Sequence, residues 1–320
     1  MAELRVTVAG LELASPVVAG SGEATRTAAQ IRACLAAGAA AVVAKSTNES
    51  DAAKAQLQAA EYVLLDESFR ARPLGPAGRG DSLFCRSGLV DEPFERWVAL
   101  LAELDREAGD AYVVPSLIVS EIDEAARMAR AFEQAGLRWL ELNVGAPHAG
   151  EAARGAIRTG AELVAPVRAA VSLPLSVKVA DPADAGPVLA AGADAVVLAT
   201  RALGFVPDLE TRRPVLGTFG ALGGAWALPI TCRHLAKTRQ RHPNACLIGT
   251  NGARDGLDVA RMLLAGASGV QLTSAVITDG PAVLERAIAQ LSAYLDKQGL
   301  SARDLVGQAA DHVRTYEEVA

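Results

Sequence analysis

The chain has 320 residues, 51% of them hydrophobic, and its 37 acidic against 31 basic side chains leave a net charge of −6. That length builds one large α/β domain or two small ones, and the acidic balance argues against a nucleic-acid partner. No apolar run approaches the roughly 20 residues that cross a bilayer, and the N-terminus MAELRVTVAG lacks an apolar signal core.

The four cysteines, Cys34, Cys85, Cys232 and Cys246, are isolated, as are the four histidines. A cytoplasmic chain with reduced thiols is expected, with no structural zinc, no cysteine-bound cluster and no membrane contact.

In chain order, Arg5–Val8 and Leu11–Leu13 alternate around Ala9-Gly10 and predict a short hairpin outside the main sheet. Pro16–Gly20 reads as a first buried strand, followed by Gly20-Ser21-Gly22 and a helix over Thr25–Ala37. A junction then repeats. Gly38, Gly136, Gly192 and Gly266 each end a helix, and within two or three residues an apolar strand begins: Ala41–Lys45, Trp139–Asn143, Ala195–Ala199 and Gly269–Thr273. Glycine supplies the left-handed cap, and unbroken apolar runs mark strands covered on both faces. Val113–Val119, Leu173–Val179 and Cys246–Gly249 add further strands. About eight βα units in one chain predict an α/β fold of the (β/α)8 barrel type. A doubly wound sheet is the alternative, but it does not need so many equivalent units.

On this reading residues 1–320 are a single barrel domain. Residues 1–15 carry the hairpin and 300–320 an amphipathic helical tail. The connections 48–92 and 200–227 are too long for ordinary βα loops. Both follow strands, so both belong on the C-terminal face, where barrel enzymes place their sites.

The stretch Trp139–His148, WLELNVGAPH, places a polar amide, Asn143, at the mouth of the barrel. Lys45 and Lys178 close two other apolar strands. A single such lysine is readily a snorkelling strand end; two flanking an asparagine make a cationic, hydrogen-bonding floor. Gly249-Thr250-Asn251-Gly252 and Thr273-Ser274 end the last two strands. Barrels often bind phosphate at that place, the plainer reading being two ordinary turns. Gly223-Gly224 would let backbone approach the same ligand. Together these describe a phosphorylated cofactor. A lysine beside an anionic reduced flavin would stabilise it.

The series AGLELASPVVAGSG, AAVVAKST, LELNVGAPH, LPLSVKV, GALGG and GTNGARDGLDVARMLLAGASGVQLTSAV covers most of residues 5–295. It resembles the FMN barrel shared by dihydroorotate dehydrogenase and the pyrimidine-reducing domain of dihydropyrimidine dehydrogenase. The resemblance implies FMN as cofactor, with Ala19, Gly20 and Ser21 along the flavin edge and Lys45 and Ser46 against its ring. Asn143 would face flavin and substrate, and Lys178 would hold the N1/C2 side. Gly224, Gly249, Thr250, Asn251, Gly252, Thr273 and Ser274 would hold the phosphate end. It further implies a homodimer, a small-molecule substrate and an electron partner of unknown kind.

The family's catalytic base, a Cys or Ser three residues after the asparagine, is replaced here by Ala146, whose methyl group moves no proton. Cys85, Ser87 and Thr200-Arg201 stand where relatives carry other polar residues. Three functional readings follow. The first is an FMN oxidoreductase acting on a CH–CH or C=C bond of a small polar heterocycle, its base relocated to His148 or Cys85. The second is a dihydroorotate or dihydropyrimidine dehydrogenase proper. The third is a silent FMN-binding partner or sensor. If Arg86 and Arg201 face the flavin with Ser87 and Thr200, an anionic substrate is favoured.

Overall fold

The computed structural model describes residues 2–48, 54, 60–119, 121–145, 160–199, 202–314 and 316–319. Eight parallel strand positions close into a barrel. They are β1 (Val17–Ala19), β2 (Ala41–Val43), β3 (Tyr112–Val114 and Ser116–Leu117), β4 (Leu140–Asn143), β5 (Leu175–Val179), β6 (Ala195–Ala199), β7 (Leu247–Thr250) and β8 (Gly269–Leu272). Pro115 splits β3, having no N–H to give the ladder. The first half pairs with β2 and the second with β4, while β8 pairs with β1, so the ring has no free edge. Glycines 38, 136, 192 and 266 all hold positive φ at the helix-to-strand junctions, as the repeated pattern predicts.

Barrel strands are apolar on both faces because helices wrap the outside. The helix Phe94–Glu107 buries Phe94, Trp97, Val98, Leu101 and Leu104 on one face, the spacing an amphipathic helix requires. Its buried Asp105 accepts from the Val113 backbone N–H at 2.8 Å and pairs with Arg138 at 2.8 Å, fixing that helix to β3. The hairpin Val6–Val8 with Leu11–Leu13 forms as predicted. A Cβ on Gly269, at the start of β8, would sit 3.3 Å from Val8, so the hairpin covers the N-terminal end of the barrel.

Two expectations need correction. The tail is not one helix: it breaks into Ala302–Leu305, a turn at Ala310–His312 and Tyr316–Val319, with Ala302, Leu305 and Ala310 buried. The two long connections are not simply loops. Glu61–Leu65, Ala71–Pro73 and Ser82–Arg86 from the first join Ala202–Gly204 and Gly220–Gly224 from the second in one five-stranded antiparallel sheet. This sheet is a lid over the C-terminal mouth. Among the described residues no helix is long and apolar enough to cross a membrane.

Candidate active site

Between barrel and lid lies a cavity of about 210 Å³, continuous with solvent. Strand alternation decides which side chains reach it. In β4, Leu140 and Leu142 pack outward, and Glu141 and Asn143 point into the barrel. Asn143 lies in register with Lys178 of β5, and both line the cavity. Asn143 Oδ1 accepts from Gly145 N–H at 3.1 Å, which leaves its amide N–H groups as donors to the cavity.

One layer below, Glu141 is fully buried. Its Oε1 lies 2.8 Å from Lys178 Nζ, and its Oε2 accepts from Gln271 Nε2 at 2.6 Å. Gln271 Oε1 is buried without a hydrogen-bond partner. Lys45, also buried, places Nζ 2.9 Å from Glu23 Oε1, and Tyr62 of the lid donates to the same oxygen at 2.9 Å. Burial works against ionisation of Glu23, but the Lys45 charge and the hydrogen bonds from Lys45 and Tyr62 outweigh it and lower its pKa. The floor therefore holds two ammonium groups, each matched by a carboxylate. It is a paired floor rather than the purely cationic one expected from the two lysines.

Ser21, Ser46, Thr250, Asn251, Thr273 and Ser274 line the remainder of the barrel side, with Ser46 Oγ 2.8 Å from Ser116 Oγ. Asn251, at φ +71°, turns its side chain to the lid: Oδ1 accepts from Gly224 N–H and Nδ2 donates to Leu222 O. The lid contributes Leu83, Cys85 and Ser87 from one face of its central strand segment.

Of the predicted residues, the cavity brings together Ser21, Lys45, Ser46, Cys85, Ser87, Asn143, Lys178, Thr250, Asn251, Thr273 and Ser274. Ala19 lies in the apolar core instead. Gly20 sits against Thr273, where a Cβ would lie 2.0 Å from its Oγ1. Gly249 faces Met262 and Leu235 toward the helices, Gly252 abuts the Leu228 backbone, and Gly224 packs on Trp226 and Asp81. Arg86 occupies the other face of its strand, paired with Glu61 at 3.2 Å, and does not line the cavity. His148, Thr200, Arg201 and Ala146 lie outside the described residues.

Glu23 and Tyr62 were not read from the sequence. Glu23 follows Gly22 in a single helical turn, and Tyr62 lies in a strand that the sequence presents as loop. Glu141 did carry a signal: a lone charge inside an apolar strand, two residues before Asn143.

The family model described as dihydroorotate dehydrogenase matches residues 81–295. The catalytic subunit of dihydroorotate dehydrogenase B (NAD(+)) from Thermoplasma acidophilum is 27% identical over 324 residues, spanning 97% of this chain and 99% of that one. The corresponding subunit from Methanothermobacter thermautotrophicus is 32% identical over 211 residues, 62% of this chain and 69% of the relative. Dihydroorotate dehydrogenase A (fumarate) from Lactobacillus helveticus is 31% identical over 227 residues, 65% and 71% of the two chains. The match takes in the lid's central strand and barrel strands β3 to β8, more than half of the chain, and on it the chain belongs to the dihydroorotate dehydrogenase family.

Proposed function

We propose that this chain is an FMN-dependent oxidoreductase acting on a CH–CH or C=C bond of a small cyclic substrate. The observation that carries the reading is the convergence of Lys45, Asn143 and Lys178 with the hydroxyls of Thr250, Thr273 and Ser274 in one cavity at the barrel mouth. The donor set suits the cofactor. Ammonium and amide groups could donate to a heteroaromatic ring, and hydroxyl and amide groups to a phosphate ester. At Gly20 and Gly223 the backbone comes close to the neighbouring walls. A Cβ at Gly223 would lie 3.3 Å from Asn251 Oδ1 and 3.5 Å from Ser274.

FMN bound there would supply the hydride-accepting chemistry that none of these side chains provides. Lys178 would hold the ring's carbonyl side, and Glu141 keeps its ammonium group in place. Asn143 would orient the substrate through its amide. Thr250, Asn251, Thr273 and Ser274 would hold the phosphate end. Ala146 cannot move a proton, so that task passes to Cys85, which lines the cavity, or to His148. The lid would cover the reacting bond from above.

The names of the relatives favour a second reading, a dihydroorotate dehydrogenase whose electrons pass to NAD(+) or fumarate. A visible spectrum of the purified chain, followed by anaerobic addition of dihydroorotate and then dihydrouracil, separates the possibilities. Flavin absorbance that bleaches with dihydroorotate supports the second reading. Flavin that binds and stays oxidised supports a divergent substrate. No flavin binding, even with FMN added, ends both readings.

A further inference from the structure

Two ammonium groups line the cavity among the described residues, and each already has a carboxylate. Lys45 Nζ is 2.9 Å from Glu23 Oε1, the oxygen to which Tyr62 also donates, and Arg26 stands 3.5 Å from the other Glu23 oxygen. Lys178 Nζ is 2.8 Å from Glu141. Arg86 turns away from the cavity to Glu61. Among the described residues the remaining wall mixes the apolar Leu83, Leu89, Ile118 and Leu222 with uncharged polar groups such as Ser46 and Asn143. A carboxylate arriving beside Lys45 would stand one ammonium group away from the carboxylate of Glu23, which pairs with Lys45 without itself lining the cavity. It would have to displace that group or stay desolvated against it, and both are costly. An uncharged ring carbonyl has no such conflict. An ammonium group carries three hydrogens, so Lys45 can donate to a neutral acceptor while keeping Glu23.

We infer that the cavity selects an uncharged cyclic substrate over its carboxylate analogue, and that Glu23 sets this preference by occupying Lys45. The inference deepens the proposed function and rests on its cavity being the substrate site. Tyr62 gives the arrangement its rigidity, since its hydroxyl reaches Glu23 from the lid and ties the counter-charge to the closed roof. Glu23 is ionised at neutral pH, because the forces that oppose its burial lower its pKa.

The test uses two pairs of rings that differ only by a carboxylate or its neutral counterpart: uracil with orotate, and benzamide with benzoate. Each is titrated by calorimetry into the FMN-loaded chain and into the flavin-free chain, so the ratio is read whether or not FMN binds. The neutral member of at least one pair should bind about tenfold or more tightly than its carboxylate partner, the scale set by one unbalanced charge in a partly buried site. Glu23→Gln should raise carboxylate affinity by about tenfold and leave the neutral member within about threefold. Tyr62→Phe, which keeps Glu23 but removes its tether, should move the ratio the same way by less. Carboxylates that bind as tightly as their neutral partners in the parent chain would overturn the inference. So would neutral rings that do not bind at all, or a ratio that Glu23→Gln leaves unchanged. Absence of FMN binding alone counts against the flavin reading and leaves the calorimetric ratio standing.

Discussion

The barrel and the lid are both sheets, yet they are held together in opposite ways. The barrel is parallel, closed and packed on both faces, and its core is one large cluster drawn from residues between Val6 and Leu305. The lid is antiparallel and open-edged, with a fully buried core of Leu65, Phe84 and Leu216. What the lid lacks in apolar packing it makes up in directed polar ties. Arg79 makes two bonds to buried Asp258, at 2.9 and 3.0 Å, and one to Asp255. Arg254 pairs with Asp279 and donates to Ala77 O at 2.8 Å. Asn251 clamps the Gly220–Gly224 strand, and Tyr62 reaches Glu23. Non-directional packing gives the barrel its stability, and directional bonds fix where the roof sits over the site.

The contrast is broken most strongly from inside the barrel. Glu141→Ala leaves Lys178 buried without its counter-charge and Gln271 Nε2 without its acceptor. We expect a loss of about 3–5 kcal/mol in chemical denaturation. The double variant Glu141→Leu with Lys178→Met should recover most of that loss, because apolar residues of similar volume replace a buried pair at little cost. A single-variant loss that the double variant fails to recover would mean the pair does more than balance charge.

Phe84→Ala removes the largest side chain of the lid core and should cost the lid about 3 kcal/mol. The expected signature is faster proteolysis within residues 61–86 and faster amide exchange there, while the barrel's denaturation midpoint barely moves. A midpoint that falls by the full amount would show that lid and barrel unfold as one unit. Arg79→Ala is a smaller change. Asp258 keeps Arg261 at 3.1 Å, and Arg79 is half-exposed, so about 1 kcal/mol is expected. The lid contribution should also shrink in high salt.

The smallest expected effect is that of pH on Glu23. Its pKa is depressed in the fold, so its stabilisation is complete above the ordinary value of 4.5 and is lost as pH falls through the lower folded value. The stability gap between the parent chain and Glu23→Gln should therefore be full near about pH 7 and narrow below about pH 4. A gap that stays constant across that window would rule out this role for the Glu23 charge.

The barrel was legible because its information is local. A glycine cap followed by an apolar run identifies each unit, and all four junction glycines hold the left-handed conformation the pattern demands. The lid was not, because its pairings are remote. Cys85 pairs with Ala221 across the sheet, and nothing near either residue announces the other. Gly220–Gly224 has too few side chains for any alternation to be visible. Residues at strand ends, such as Lys45, Asn143, Lys178 and Thr250, were found because β-geometry fixes where they point. Glu23 and Tyr62 were missed because their meeting depends on the lid. Arg86 was assigned to the cavity on loop position alone, and strand alternation sends it to the other face beside Glu61.

The topology of the lid joins one local pairing to one remote pairing. Its central strand, Ser82–Arg86, pairs with Glu61–Leu65 on one side and with Gly220–Gly224 on the other. The first pairing closes a short loop. The second joins residues with β3 to β6 between them in sequence, and so carries the larger entropy of a long loop closure. Closure of the barrel itself, through Val270 of β8 and Val17 of β1, joins residues still farther apart in sequence, so roof and ring share the cost of remote contacts. A circular permutation with new termini between Gly204 and Gly220 would keep every barrel strand intact while changing how far apart in sequence these partners lie.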